Sequence, residues 1–401
     1  MSPVPGVSAP RATLGDAFDP RGNSLNLLRL VFATMVLVGH SVGLGGYGSD
    51  HLGDVTTIGE LAVFGFFAIS GFLIAGSAST SAPRDYLRRR FLRIFPAFWV
   101  ALAVTASVIA PLIYLLRPPL PGCGIDCYLT AEDGPFGYLW RNATLWIVQP
   151  AIAGTPADVV LPGVWNGSLW TLSYEFAAYL ILLGLAIVGV LRRPRLLVGL
   201  TAAVWLVVTV LTVVPSLNAQ VTVLTLPVVM RGSGLLPLFL TGACLWVLRG
   251  RIPDSGRLAL GSAGLALVVF LLPIGASVPA FTLTSSVVAA PLLVYPVLWL
   301  GCHLPGHRVG RRNDYSYGIY VYAFPIQQAL VALGVAAAWG LLGFTALTMV
   351  LTLGLAALSW HLIERPAMRL GRRRRAALRT GPAATGRPAD TLPANSPPEA
   401  A

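Results

Sequence analysis

NSLNLLRLVFATMVLVGHS, residues 23–41, is almost wholly apolar from Leu25 onward, and its length decides which solvent the chain folds in. A helix needs about 20 mostly apolar residues to cross the hydrocarbon of a bilayer. This stretch supplies them while carrying Arg29 and His40. A charged side chain at the centre of a span costs about 2.5–3.5 kcal/mol on insertion scales, so each one requires a reason. The rest of the chain is built alike, with a mean hydropathy of +0.73. Only 11% of its 401 residues are charged, against about 25% in soluble domains. A soluble protein of this length could not hide so much apolar surface in one core. The preceding residues 1–22 are polar and rich in Pro and Gly, unlike a secretory signal, so the first run is expected to act as an uncleaved anchor.

Nine further runs follow at spanning length: 58–80, 90–116, 168–191, 196–214, 223–248, 258–277, 281–302, 314–335 and 339–362. The net charge of +12 comes from arginines alone, since the chain has no lysine. They cluster at Arg84 to Arg93, Arg192 to Arg195, Arg249 to Arg257, Arg308 to Arg312 and Arg365 to Arg375. Each cluster follows an even-numbered run. Ten spans therefore gather every cluster, with both termini, on one side, and the positive-inside bias makes that side cytoplasmic. No basic groove interleaved with aromatics is present, so nucleic acid is excluded as a partner. The expected fold is an all-α, polytopic transmembrane helix bundle. Residues 1–22 are expected as a flexible cytoplasmic N-terminus, 23–369 as the membrane domain and 370–401 as a basic, then disordered tail.

On this topology the segment from Arg117 to Gly167 lies outside and caps the outer face. Within it, YLWRNATLWIVQP (138–150) is too short to span and is either re-entrant or interfacial. Cys123 and Cys127 form a disulfide if that side is oxidising; no further His or Cys stands near them to complete a zinc site. Cys244 and Cys302 lie in apolar runs and are read as packing residues.

Arg29 and His40 are eleven residues apart, about three turns, and so share one helical face with a rise of about 16 Å. Asn26 falls near that face. The bland account is a snorkelling arginine and a histidine bonded to a neighbouring helix. The sharper one is a polar seam facing the bundle interior, with His40 placed to take a hydroxyl proton. In FGFFAISGFLIAG (64–76), Ser70 and Gly71 belong to a small-residue stretch that permits close helix approach; alternatively Gly71 leaves room for a slender ligand chain and Ser70 donates to it. In RDYLRRRFLRIFPAFW (84–99), charge sorting accounts for Arg84 and Arg88. Arg90 and Arg93, three residues apart, fit sorting and a phosphate-gripping pair equally. Pro96 either kinks this span or sits in its first turns.

VWNGSLWTLSYEFAAYLILL (164–183) places Ser168, Thr171 and Glu175 on one face. Glu175 is expected at the depth of His40, where it orients the imidazole or receives an acceptor hydroxyl. Trp165 and Trp170 suit the interface belt. His51, with Asp50 and Asp54, is expected in a solvated outer loop, and His303 and His307 on a cytoplasmic surface. His361 and Glu364 are expected to help terminate the last span. Asp314, Ser316 and Tyr317 are read as packing residues, with a cytoplasmic ligand contact as the alternative.

Arg29 and His40, FFAISGF (66–72), RFLRIFP (90–96), LWTLSYEF (169–176), NDYSYGIYVYAFPIQ (313–327) and WHLIERP (360–366) together resemble the acyltransferase 3 family of bacterial membrane proteins, over about residues 23–369. The resemblance implies an O-acyltransferase of the bacterial plasma membrane. It would use acyl-CoA, commonly acetyl-CoA, as co-substrate and acylate a hydroxyl of a glycan or other glycosylated acceptor. It implies that His40 is the family's essential histidine, Arg29 its first-span arginine, and Arg90 and Arg93 the pair that holds the donor. No SGNH esterase-like domain is expected. His40 is expected as general base, with Glu175 beside it and Ser70 and Gly71 along the donor arm; an acyl-imidazole intermediate is a variant. The alternative is a proton-coupled transporter or flippase, which also uses buried His, Arg and Glu, but no internal repeat is visible.

Overall fold

The computed structural model describes residues 12–49, 51–52, 56–119, 122–214, 234–271 and 288–370. The chain runs through α1 (Leu14–Ala17), α2 (Leu25–Leu44), α3 (Ile58–Thr80), α4 (Pro83–Leu116), α5 (Ile125–Thr130), α6 (Pro135–Arg141), α7 (Trp170–Ile187), α8 (Pro194–Val213), α9 (Leu235–Leu248), α10 (Gly256–Leu271), α11 (Ala290–His303), α12 (Ser316–Ala332) and α13 (Val335–Leu370). A two-residue antiparallel pair, His51–Leu52 with Thr56–Thr57, is the strand structure among the described residues. Six helices, α2, α3, α4, α7, α8 and α13, are long and apolar enough to cross a membrane. Each remaining expected run also holds a helix, α9, α10, α11 or α12. The tail beyond Leu370 and the loop carrying Asp50 and Asp54 lie outside the described residues.

Local chemistry sets several boundaries. Thr13 and Asp16 close a reciprocal capping box on α1, which satisfies two N–H groups that a helix start leaves orphaned. That turn is docked: Leu14 and Gly15 donate to the carbonyls of Ile252 and Arg249 at 2.9 Å, and Phe18 packs edge-on against Phe72 and Trp246. The expected flexible N-terminus is therefore held in place from Thr13 onward. Helix α4 starts at Pro83, earlier than expected, with proline in the first turn where its missing N–H costs nothing. Pro96 lies well inside it, and a π-helical turn, Thr105–Ile109, follows. A second π turn, Trp360–Glu364, interrupts α13, which runs on to Leu370. His361 and Glu364 thus do not end this helix. Helix α13 is also broken at Gly340, whose φ of +66° is non-helical.

Helices α2, α3, α7, α9 and α12 form the core, and α3 and α9 pack most intimately. A Cβ on Gly71 would overlap the carbonyl of Phe239, and one on Gly242 would press on the backbone of Ala68 and Phe72. Each helix thus uses a glycine to let the other backbone approach. This corrects the ligand-channel account of Gly71: the room it leaves is filled by α9.

Residues 117–119 and 122–169 cover the end of the bundle where α4 finishes and α7 begins. Asn142 and Gln149 bind that segment's own backbone. Gln328 of α12 donates to the carbonyls of Leu161 and Val164. Trp165 is fully buried and donates to Thr155, so it is a core residue of the cap and not part of an interface belt. Trp140 is 84% exposed, whereas Tyr138, Asn142 and Leu145 around it are buried. Cys123 and Cys127 are joined by a disulfide. Cys244 is buried against Thr201, and His303 lies on the surface beside Asp254.

Alanine in place of glycine ordinarily stabilises a helix by about 1 kcal/mol. Gly71→Ala is expected to do the opposite and cost about 1–3 kcal/mol through overpacking against α9. Thermal unfolding in detergent reads this directly, and a variant as stable as the wild type would refute the α3–α9 contact.

Candidate active site

Arg29 leaves α2 just over one turn from its start, and Arg93 leaves α4 three turns from its start. Both reach Asp314, which immediately precedes α12. Arg29 Nη1 lies 3.2 Å and Arg93 Nη2 2.6 Å from the same carboxylate oxygen, Oδ2. The other oxygen accepts from the backbone N–H and hydroxyl of Ser316. Arg93 is also paired with Glu364 Oε2 at 3.5 Å, in the π turn of α13. Four helices are linked through these charges. The Glu364 and Asp314 side chains are 1% and 12% exposed. Water therefore screens the pairs poorly, and removing one partner would strand a buried charge.

Above this cluster lies a cavity of about 220 Å³, walled by Arg29, Arg89, Arg90, Arg93, Ser70, Glu175, Tyr179 and Tyr317. Its arginines are not equivalent. Arg93 is committed to two carboxylates, and Arg89 donates to Ser77 and Ser81. Arg90 makes no ion pair among the described residues. Its guanidinium stands 5.9 Å from the ring centroids of Tyr86 and Tyr179, and its Nε has no protein partner. Spacing leaves Arg90 and Arg93 equally open to charge sorting and to a phosphate-gripping pair; the structure pairs Arg93 with Asp314 and Glu364 and gives Arg90 no ion pair among the described residues.

Glu175 accepts hydrogen bonds from Ser70 Oγ, at 3.0 Å, and from the Tyr179 hydroxyl. It also lines a second, narrower cavity of about 40 Å³ with Arg29, Phe66, Thr171, Tyr317 and Tyr320. It therefore sits beside Arg29, not at the level of His40, and makes no hydrogen bond to the imidazole. The expectation that Glu175 orients His40 fails, because the facing residue on α3 is Ser70. Ser168, Thr171 and Glu175 do face inward together: Ser168 donates to the Tyr320 carbonyl, and Thr171 shares a hydrogen bond with the Tyr320 hydroxyl.

His40 lies three turns beyond Arg29 on α2 and lines neither cavity. Its ring meets Phe324 edge-on at 5.1 Å, and its enclosed Nδ1 has no protein partner. Phe66 and Tyr320, which line the narrower cavity, meet edge-on at 6.0 Å, and Phe66 lies 5.8 Å from Phe32 of α2. Gln327, also on α12, donates to the Leu37 carbonyl and to Ser41 next to His40. Pro325 has no N–H for the Val321 carbonyl one turn back, and the Asn166 amide donates to that carbonyl instead. These bonds fix the α12 face that His40 meets.

Sequence reasoning gave Asp314 and Glu364 minor roles. The one local signal was a carboxylate next to a helix terminus within an otherwise apolar run. Asp314→Asn is expected to leave Arg29 unneutralised and to lower stability by about 3 kcal/mol. Its melting temperature in detergent checks this, and an unchanged value would remove the cluster's structural role.

The family described as an acyltransferase domain, acyltransferase 3, matches residues 23–361. An O-acetyl transferase of Shigella phage Sf6 is 27% identical over 86% of this chain and 96% of its own length. Nodulation protein 10 of Rhizobium leguminosarum bv. viciae is 30% identical over 87% of this chain and 94% of its own. The exopolysaccharide production protein ExoZ of Rhizobium meliloti is 29% identical over 82% and 96%. No solved structure matches significantly. With the match covering most of the sequence and six apolar helices of spanning length, the chain belongs to the acyltransferase 3 family of membrane proteins.

Proposed function

We propose that this protein is an O-acyltransferase of the bacterial plasma membrane that moves an acyl group, acetyl by preference, from cytoplasmic acyl-CoA to a hydroxyl of a glycan or glycosylated acceptor. The observation that carries the reading is the cavity in which unpaired Arg90 stands with Arg29, Ser70 and Glu175, on the helix bundle whose α2 also carries His40. The names of two relatives, an O-acetyl transferase and an exopolysaccharide production protein, point to the same chemistry and acceptor class. In this reading the bundle crosses the membrane ten times, with α9 to α12 joining the six longer helices. The arginine-rich ends and both termini are cytoplasmic, and the cap of residues 117–169 is outside.

The donor enters at the basic end. Arg90 receives oxygens of the CoA diphosphate, since its planar fork fits them and it has no ion pair among the described residues. The pantetheine arm passes Ser70 and Arg29 into the narrow cavity, and the thioester reaches His40 when Phe66 and Tyr320 move aside. His40 takes the proton of the acceptor hydroxyl. The hydroxyl oxygen bonds to the thioester carbonyl carbon, the C–S bond breaks, and the proton passes from the imidazole to the leaving thiolate. Glu175 positions the Ser70 and Tyr179 hydroxyls along the arm. Half the hydrocarbon thickness, about 15 Å, matches the Arg29 to His40 rise of about 16 Å.

Purified protein in liposomes, supplied with radiolabelled acetyl-CoA and candidate glycans, is expected to label the glycan. His40→Ala is expected to remove the label by at least about 100-fold, the lower range for losing a general base, while acetyl-CoA binding is kept. Glycan movement across the bilayer without covalent label would favour transport. Arg90→Ala is expected to weaken acetyl-CoA binding about tenfold with little change in stability. An unchanged donor affinity in that variant would displace the donor from this cavity.

A further inference from the structure

The donor cavity uses the arginines of α4 and leaves those between α11 and α12 without a role. That connection is held by the first turn of α2. Ser24 Oγ donates to the Leu304 carbonyl at 2.5 Å and accepts from the Gly306 N–H at 3.0 Å. Asn26 Nδ2 donates to the Gly310 carbonyl at 3.2 Å. Gly310 has φ +69°, and a Cβ there would meet Asn26 Cβ at 2.8 Å, so the turn requires glycine. Folded this way, the loop places Arg308, Arg311 and Arg312 around a cavity of about 810 Å³.

All three arginines are exposed, and none makes a hydrogen bond or ion pair among the described residues. Asp314 is the one carboxylate in the lining, and its charge is already neutralised by Arg29 and Arg93. The cavity is thus strongly positive with no internal counter-charge. Charge sorting explains why arginines lie on this side of the bundle, but not why a pinned glycine turn gathers three of them around one hollow. Asp314 forms part of the inner wall, and the two arginines it binds line the donor cavity. One ion-paired carboxylate therefore stands between the two spaces.

Resting on the acyl-CoA reading above, we propose that this cavity binds the 3′-phosphoadenosine of the donor, with Arg308, Arg311 and Arg312 around its 3′-phosphate, while the diphosphate stays with Arg90. The oxygens of a phosphate monoester are matched in pairs by planar guanidinium forks. The cavity's volume falls within the usual range for small-molecule sites, about 300–1,000 Å³. A basic hollow near a membrane surface also suits the phosphate of an anionic lipid. Adjacency to the donor cavity favours the nucleotide.

The test uses the full chain in phosphatidylcholine nanodiscs and compares acetyl-CoA, its 3′-dephospho form and adenosine 3′,5′-bisphosphate. Wild type is expected to prefer acetyl-CoA over the dephospho form by about tenfold, and to bind the bisphosphate as a competitor. Arg308→Ala with Arg311→Ala and Arg312→Ala is expected to raise the KM for acetyl-CoA about tenfold or more, erase the 3′-phosphate preference and leave kcat nearly unchanged. The corresponding triple lysine variant is expected to recover part of the affinity. If the triple alanine variant keeps wild-type affinity and preference while Arg90→Ala weakens binding, this inference falls and the donor reading stands. If wild type binds no acetyl-CoA, both fall. If the three substitutions change only the dependence on added anionic lipid, the cavity is a lipid site and the inference is overturned.

Discussion

Asp314 holds guanidinium groups from two other helices on a single carboxylate oxygen, and the basic end of the bundle is organised around that contact. Lipid supplies no hydrophobic force to drive apolar helices together, so close packing and polar links must set which faces meet. The links here join α2, α4, the start of α12 and the π turn of α13. Ser316 satisfies the remaining oxygen of Asp314, which completes the coordination of a group that is otherwise costly to bury.

Committing Arg93 to this cluster has a chemical consequence next to it. With two carboxylates on Arg93 and serine hydroxyls on Arg89, the adjoining cavity keeps Arg90 as a guanidinium without an ion pair among the described residues. Glu175 lines the same cavity and is held by Ser70 and Tyr179. Fixed dipoles and charges of this kind need no reorganisation when a ligand arrives. The apolar side of the same region is set by the mutual glycine contact of Gly71 and Gly242, which brings α9 against α3 directly behind Ser70.

Much of this was legible along the chain, but unevenly. Arg29 and His40 share a helix, so their common face and their separation follow from helical geometry alone. Ser168, Thr171 and Glu175 were likewise read correctly as an inward face. Glu175 and His40 belong to different helices, and hydropathy runs do not fix the relative depth of two helices; the structure sets the glutamate against Ser70. Gly71 shows the same limit, because a small residue says that something comes close but not what. The π turn at Trp360–Glu364, which carries Glu364 to Arg93, has no signature in local hydropathy.

The sequence alone determined that the chain is a helical membrane protein, that its basic charge is segregated between apolar runs, and that its order of motifs is that of the acyltransferase 3 family. These are properties of composition and short-range period, which lipid enforces wherever a helix must span it. Only the tertiary structure decided which charges neutralise each other, which arginines have no ion pair among the described residues, and what fills the space beside Gly71. Arg29 finds its partner 285 residues away and Arg93 finds Asp314 at 221. A helix fixes the direction of its own side chains, but the identity of the helix they face depends on packing among all of them.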